Sequence, residues 1–156
     1  MVRKTQNTGL TLIETMVTIA LVMVMIVGVA EFRAFSSSNV RKADVQITST
    51  RLALLLLEDW KAQSGSSDYD PVPVFSSQLD IAKSSDGPAV PDGFIRAGYH
   101  RRIIADGVYY YATLSYKEAT ANELRTLNVA VASVAGYGEG TVSSTDQSAR
   151  LTTYVR

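Results

Sequence analysis

The chain has 156 residues, enough for one domain or for one small domain with an appendage. Its 15 basic and 15 acidic residues balance, so the overall charge does not indicate a nucleic-acid-binding protein. The absence of cysteine excludes disulfides, thiolate metal sites and cysteine nucleophiles, and the single histidine, His100, excludes a multi-histidine metal centre.

The first 30 residues combine a short basic start with a long apolar run. Arg3 and Lys4 precede an apolar run of 21 residues that begins at Leu10 and ends at Ala30. As a helix this run is about 31 Å long, which is enough to cross a bilayer if Glu14 is tolerated inside it. The basic residues in front predict a cytoplasmic N-terminus, with the rest of the chain outside the inner membrane.

No helix breaker follows until Gly65, so we predict one near-continuous helix over residues 10–63, with residues 31–63 as an amphipathic continuation. Apolar positions three and four residues apart predict a stripe that is buried under a globular layer, together with the leucine run 54–57. The serines at 36–38 are a potential kink. The predicted stripe consists of Val40, Ala43, Ile47, Thr50, Leu54 and Leu57.

Residues 64–93 are rich in Ser, Asp, Gly and Pro and are predicted to form a loop, with one short helix near residues 77–82. Beyond it the apolar residues alternate with a period of two, and Asp106-Gly107 predicts a hairpin turn. The predicted strands are 94–105, 108–117, 127–131 and 149–156. The sequence therefore predicts an α+β fold, in which the long helix packs on an antiparallel sheet of about four strands within residues 94–156.

Three polar or aromatic clusters are predicted to be structural. The acidic residues of the loop lack the spacing of a calcium-binding loop and are predicted to be solvated. The cluster His100-Arg101-Arg102 lies on a predicted strand, and we expect a solvated strand rather than a DNA contact. Tyr109-Tyr110-Tyr111 is predicted to pack in the core and across strands. The acidic residues of the loop are Asp68, Asp70, Asp80, Asp86 and Asp92.

The position of Glu14 leaves two general interpretations open. The segment is either an ordinary signal anchor with a stray acid, or a secretory signal peptide cleaved after Gly28-Val29-Ala30, which fits a small-x-small site. The acid in front of the apolar core and the helical pattern that continues past Ala30 both disfavour the secretory interpretation. A carboxylate in a membrane usually has a partner, which neither interpretation supplies.

The stretch Gly9-Leu10-Thr11-Leu12-Ile13-Glu14, followed by a charge-free run, resembles the processing signal of type IV pilins and type II secretion pseudopilins. The resemblance implies that a prepilin peptidase cuts after Gly9 and that Leu10, where the family usually has Phe, is then N-methylated. It also implies that Glu14 is the fifth-position acid. If the cut exposes an amine at Leu10, we expect this amine to be the partner of Glu14, in the same chain or in a neighbouring helix, and pairing between subunits would set their register. The strands at 125–131 and 150–156 resemble the closing strands of minor pilins and pseudopilins.

The resemblance thus implies a non-enzymatic structural subunit, with a leader over residues 1–9 and a transmembrane segment over residues 10–30. Its partners would be the prepilin peptidase, other pilins or pseudopilins, an inner-membrane assembly platform, and lipid before assembly. No cofactor, metal or nucleic acid is expected. Type IV pilus, type II secretion and competence systems share this N-terminus. The alternative is a secreted or membrane-anchored binding domain outside any filament.

Overall fold

A computed structural model of the chain describes residues 11–118, 124–134, 140–142 and 148–156. Within these residues a long helix, a short helix and six strands follow one another. They are α1 (Leu12–Ala62), α2 (Val72–Phe75), β1 (Asp80–Ser84), β2 (Ile95–Arg96), β3 (His100–Ala105), β4 (Val108–Glu118), β5 (Arg125–Ser133) and β6 (Ser148–Val155). The long N-terminal helix packs on an antiparallel sheet, so the predicted α+β class is confirmed.

Within the described residues the sheet has six strands, compared with the prediction of about four. Its order is β1-β3-β4-β5-β6, and β2 pairs with β4 beyond the end of β3. The predicted strand 94–105 is interrupted at Gly98, which has a φ of +66°. Because of this interruption Ile95 lies opposite Tyr116, whereas an unbroken continuation of the β3 register would place it opposite Glu118.

The predicted short helix near residues 77–82 is wrong. The helical turn in this region, α2, ends at Phe75, and residues 80–84 form β1 along the outer edge of β3, with Ile81 opposite Ile103. A helix at this position would leave the edge of β3 unpaired and would remove the buried side chain of Ile81 from the core. Edge pairing therefore overrides the local loop composition.

The turn between β3 and β4 is the predicted Asp106-Gly107 hairpin. Both residues have positive φ, +51° and +74°, as a two-residue turn of type I′ requires. The turn places Ala105 opposite Val108 and fixes the register of the two strands. The tyrosines of β4 consequently alternate between the two faces of the sheet, as the sequence predicts.

The chain divides into two compact units, Met1–Lys42 and Ala43–Arg156. In the second unit one face of α1 packs on the sheet and buries side chains that recur every three or four residues. These are Ser49, Leu52, Ala53, Leu56, Leu57 and Trp60. The sheet contributes alternate residues to the same core, namely Ile103, Tyr110, Ala112, Leu114, Leu127, Val129 and Val131. The helical and strand periodicities therefore meet in a single apolar core.

Candidate functional site

The first turn of α1 holds Glu14 in a capping box. The carboxylate atom Oε2 of Glu14 accepts hydrogen bonds from the backbone N–H of Thr11 at 2.9 Å and from its hydroxyl at 3.1 Å. The N–H of Glu14 in turn donates to Oγ1 of Thr11 at 3.4 Å. Two N–H groups of the first turn, which have no partner within the helix, are satisfied in this way, and the carboxylate lies at the positive end of the helix dipole.

Glu14 thus has a partner within the chain without any cleavage. The sequence contained the signal for it, because Thr-x-x-Glu before an apolar run is the pattern of a capping box, and sequence reasoning missed it. Gly9 and Leu10 lie outside the described residues. Cleavage between them, methylation of Leu10 and pairing of its amine with Glu14 therefore stay predictions.

Among the described residues, α1 is the one helix with the length and apolar composition to cross a membrane. Every side chain from residue 11 to residue 44 is exposed, including large apolar ones such as Met25 and Phe35. An apolar surface of this extent is not stable in water and requires lipid or protein cover. The surface of this segment is therefore the principal candidate for an interaction site.

Two hydroxyl groups near the start of α1 are satisfied inside the helix itself. Thr15 donates to the carbonyl oxygen of Leu12 at 2.7 Å, and Thr18 donates to that of Glu14 at 2.6 Å. These bonds reduce the cost of placing a hydroxyl in an apolar environment, because no external partner is needed. The helix also continues without interruption across the serines at 36–38.

The stripe that was predicted to be buried is exposed, apart from Leu57. The exposed positions are Val40, Ala43, Ile47, Thr50 and Leu54. The sheet covers a different face, which runs through Leu52, Leu56 and Trp60. Both faces have apolar residues at helical spacing, so spacing alone could not show which one the sheet would cover. The leucine run is divided accordingly: Leu54 and Leu55 are 51% and 38% exposed, whereas the next two leucines are buried.

Within the second unit, the uncovered face of α1 is a shallow groove of about 420 Å³. Its lining residues are Ala43, Gln46, Ile47, Thr50, Arg51 and Leu54. Positions 43, 47, 50 and 54 of this lining recur three or four residues apart and are apolar except for Thr50, which is the arrangement that a second helix contacts when ridges pack into grooves. The exposed groove therefore suits a helical partner better than a small polar ligand.

The acidic loop is partly structural rather than solvated. Asp70 contacts Nη2 of Arg101 at 3.1 Å and Nζ of Lys83 at 3.3 Å. Asp86 accepts a hydrogen bond from the N–H of Val142 at 2.8 Å. The described residues contain no group of three or more side chains that could hold a metal ion. Asp70 thus ties the loop after α1 to β1 and β3, and Asp86 connects two loops.

The prediction of a solvated strand is wrong for His100 and Arg101, which are 9% and 2% exposed. Arg101 lies on the helix-facing side of the sheet, opposite Ala112, and His100 lies on the outer side. The prediction for the tyrosines is confirmed for Tyr110 and Tyr111, which are buried on opposite faces. His100 is buried because Gly87 packs against its ring on the outer face, whereas Arg101 is buried on the helix-facing side and contacts Asp70.

No protein-family model, curated protein or solved structure matches the chain. The observations that bear on function are therefore the α+β fold, the capped Glu14, and the exposed apolar surface of α1. They define a protein with an apolar N-terminal helix and a compact helix-and-sheet unit.

Proposed function

We propose that the chain is a pilin-like structural subunit of a type IV pilus or type II secretion pseudopilus, and that it is a minor rather than a major component. The observation that carries the proposal is the surface of α1. Its apolar side chains are exposed along the candidate membrane span and again along the groove through Ile47 and Leu54. A simple membrane anchor requires only the first of these surfaces, whereas packing into a bundle of helices uses both.

The two surfaces suit two successive environments. Before assembly, residues 10–30 lie in the inner membrane with the N-terminus in the cytoplasm, and the second unit lies outside. In a filament the same apolar surface packs against helices of other subunits, so lipid contact is replaced without exposing the segment to water. Keeping apolar surface out of water is worth roughly 25 cal/mol per Å². Exchange of lipid for helix contact retains this contribution, so packing between helices decides the association.

The capped Glu14 is compatible with both environments. Its hydrogen bonds to Thr11 compensate part of the cost of placing a carboxylate near the membrane interface. Cleavage after Gly9 would leave a free amine at Leu10, next to the cap, as a further partner for the carboxylate. The pairing can then occur within one subunit or between neighbouring subunits.

The mass of the mature protein tests the proposal. The full chain is co-expressed with a prepilin peptidase, purified from membranes and measured by intact mass spectrometry. We expect the loss of residues 1–9 and the gain of one methyl group. Loss of the chain through Ala30 would instead establish a secreted domain, and an intact chain would establish a simple anchor.

A Gly9→Leu variant is the matched control. The substitution leaves the apolar run, Glu14 and the second unit unchanged, but it places a bulky side chain at the expected cut. The variant should remain uncut in the presence of the peptidase. Equal processing of both chains would show that the cut is not the one proposed.

A further inference from the structure

A segment between β1 and β3 covers the outer face of the sheet, on the side opposite α1. This cover segment, residues 86–96, is fixed over the sheet by side chains of two strands. The hydroxyl of Thr113 donates to the carbonyl oxygen of Pro88 at 2.8 Å, and Nη2 of Arg150 donates to that of Ala89 at 3.2 Å. The cover segment helps to bury Thr113, which is 1% exposed.

His100 links the two ends of the cover segment to the sheet. Its Nε2 atom lies 2.8 Å from Nη1 of Arg96, and its Nδ1 atom lies 2.6 Å from Oγ1 of Thr113. A guanidinium only donates, so Nε2 accepts and the ring proton is on Nδ1. The hydrogen bonds then run in one direction, from Arg96 through the neutral ring of His100 to Thr113 and on to Pro88.

Only one protonation state of His100 fits this arrangement. A second proton, on Nε2, would point at the cationic guanidinium of Arg96 and remove its acceptor. The ring cannot turn away freely, because Gly87 packs against it: a Cβ atom on this glycine would lie 2.5 Å from Nδ1. Burial is the largest effect that lowers the pKa of His100, and Arg96 and Arg101 lower it further.

Asp86 of the cover segment, Arg96 of β2 and Arg101 of β3 are the charged groups that act on the ring. Arg102 of β3 and Tyr111 of β4 share the outer face with His100, and Arg150 of β6 contacts the cover segment. Asp86 favours the protonated ring and raises the pKa of His100, whereas Arg96 and Arg101 lower this pKa. Its carboxylate is already engaged by the N–H groups of Gly87 and Val142, at 3.0 and 2.8 Å.

We propose that residues 86–96 form a pH-dependent clasp, which is closed while His100 is neutral and opens when His100 binds a proton. Opening would uncover the outer face of β4 and β5 around Thr113. The sign follows from the pKa lowered by folding: the closed form is fully favoured above the unfolded-state pKa of about 6.5 and loses stability as the pH falls below it. Uptake of one proton increases the opening equilibrium constant by at most about tenfold per pH unit.

Hydrogen–deuterium exchange of the full chain in detergent micelles tests the clasp. The informative amides are Ala97, which donates to the carbonyl oxygen of Leu114 at 2.9 Å, and Val142, which donates to Asp86. Their exchange, corrected for intrinsic rates and compared with Val129 in the β4–β5 ladder, is followed from about pH 7.5 to about pH 5. We expect it to accelerate several-fold below about pH 6.5. Since His100 is the single histidine, its NMR titration should have a midpoint below about 6.5, in the range where the acceleration levels off.

Two variants distinguish protonation of His100 from protonation of other titratable groups. His100→Gln retains a polar group near the Nε2 position but does not titrate, so the acceleration should disappear. Arg96→Gln replaces an exposed side chain with an amide that accepts or donates, so a charged ring is tolerated and the pH dependence should weaken. The proposal is wrong if exchange in the native chain does not change with pH, or if His100→Gln keeps the native slope. Should His100→Gln not fold, an unchanged slope in Arg96→Gln overturns it.

Discussion

Arg101 is a guanidinium buried among the apolar side chains of the core. It contacts Asp70 and donates to the carbonyl oxygens of Tyr99 and His100, while its Nε atom has no hydrogen-bond partner. Moving such a charge out of water costs several kcal/mol unless a counter-charge and hydrogen bonds compensate. The carboxylate of Asp70 is therefore needed to compensate the buried charge of Arg101. The same contact ties the loop after α1 to β3.

We expect Asp70→Asn to lower the free energy of unfolding by about 2–3 kcal/mol, because Arg101 is left buried without its counter-charge. Lys83→Met is the matched control. It removes the other cation on Asp70, but the Lys83 side chain is 56% exposed, so the cost should stay below about 1 kcal/mol. Denaturant unfolding of the full chain in detergent measures both changes. Equal effects would show that burial of Arg101 is not the reason.

The same pair predicts loss of stability in acid. Burial raises the pKa of Asp70, but the Val72 N–H, Arg101 and Lys83 together outweigh it and hold the pKa below its ordinary value. The contribution of the carboxylate is therefore complete above the unfolded-state pKa of about 3.9 and is lost as the pH falls through the lower folded-state value. This range is well below that of the clasp at His100, so the two effects are separable.

Glu14 has two candidate roles, as an N-terminal cap and as a charge partner, and two substitutions distinguish them. Glu14→Gln keeps an acceptor for the Thr11 N–H, since Glu and Gln both form capping boxes, but it has no charge. Glu14→Ala removes both functions. If pairing with the amine of Leu10 sets the register, both variants should fail to enter filaments, as measured by the amount in sheared fractions. Normal incorporation of Glu14→Gln would leave the capping role alone.

At the scale of elements, α1 has two apolar faces with separate roles. Leu56 belongs to the face covered by the sheet and is fully buried, whereas Leu54 belongs to the uncovered face and is 51% exposed. Both side chains lie on the same helix, two residues apart. They therefore form a matched pair for distinguishing stability of the fold from association.

We expect Leu56→Ala to lower the free energy of unfolding by about 2–5 kcal/mol, because it leaves a cavity in the core. Leu54→Ala should cost less than about 0.5 kcal/mol in the isolated chain. If the proposed assembly is correct, it should also reduce incorporation into filaments. Denaturant unfolding and cross-linking between subunits measure the two effects. A stability loss from Leu54→Ala equal to that from Leu56→Ala would contradict the assignment of the faces.

Local signals predicted the long helix, the Asp106-Gly107 turn and four of the strands, because each depends on residues close together in sequence. Two other features depend on partners far along the chain. β1 forms because the edge of β3 is available for pairing, although the composition of its own segment is typical of a loop. Which face of α1 becomes buried depends on the position of the sheet. The spacing of Ile47 and Leu54 along the sequence contains no information on that position. The sequence also contains the pattern of the capping box at Thr11 and Glu14, although the prediction did not include it.

At the scale of the whole molecule, the second unit uses the end of α1 as part of its own core. The buried residues of the described chain all lie within the unit Ala43–Arg156, the first of them at Ser49. The remainder of α1 contributes none of its side chains to that core. The described residues of the first unit, 11–42, thus supply no buried side chain to this core.

We therefore expect a chain that begins at Ala43 to fold as a soluble monomer with a cooperative thermal transition. A chain that begins at Gln63 should not, because it lacks Leu52, Leu56 and Trp60. Losing even one such side chain costs about 2–5 kcal/mol, against a total stability of about 5–15 kcal/mol for a typical domain. Circular dichroism melts and sedimentation test both chains. A broad, non-cooperative melt of the first chain would show that residues 1–42 are needed for folding.

The placement of the core residues also fixes an order of events during synthesis. Leu56 and Trp60 are made early, but they pack with residues of β4 and β5, such as Leu114 and Val129, which are made near the end. Closing such a long loop carries an entropic cost, and contacts between distant residues form slowly. The helix face that the sheet will cover therefore stays exposed until most of the chain has been synthesised. Until then this apolar face is a surface through which nascent chains can associate.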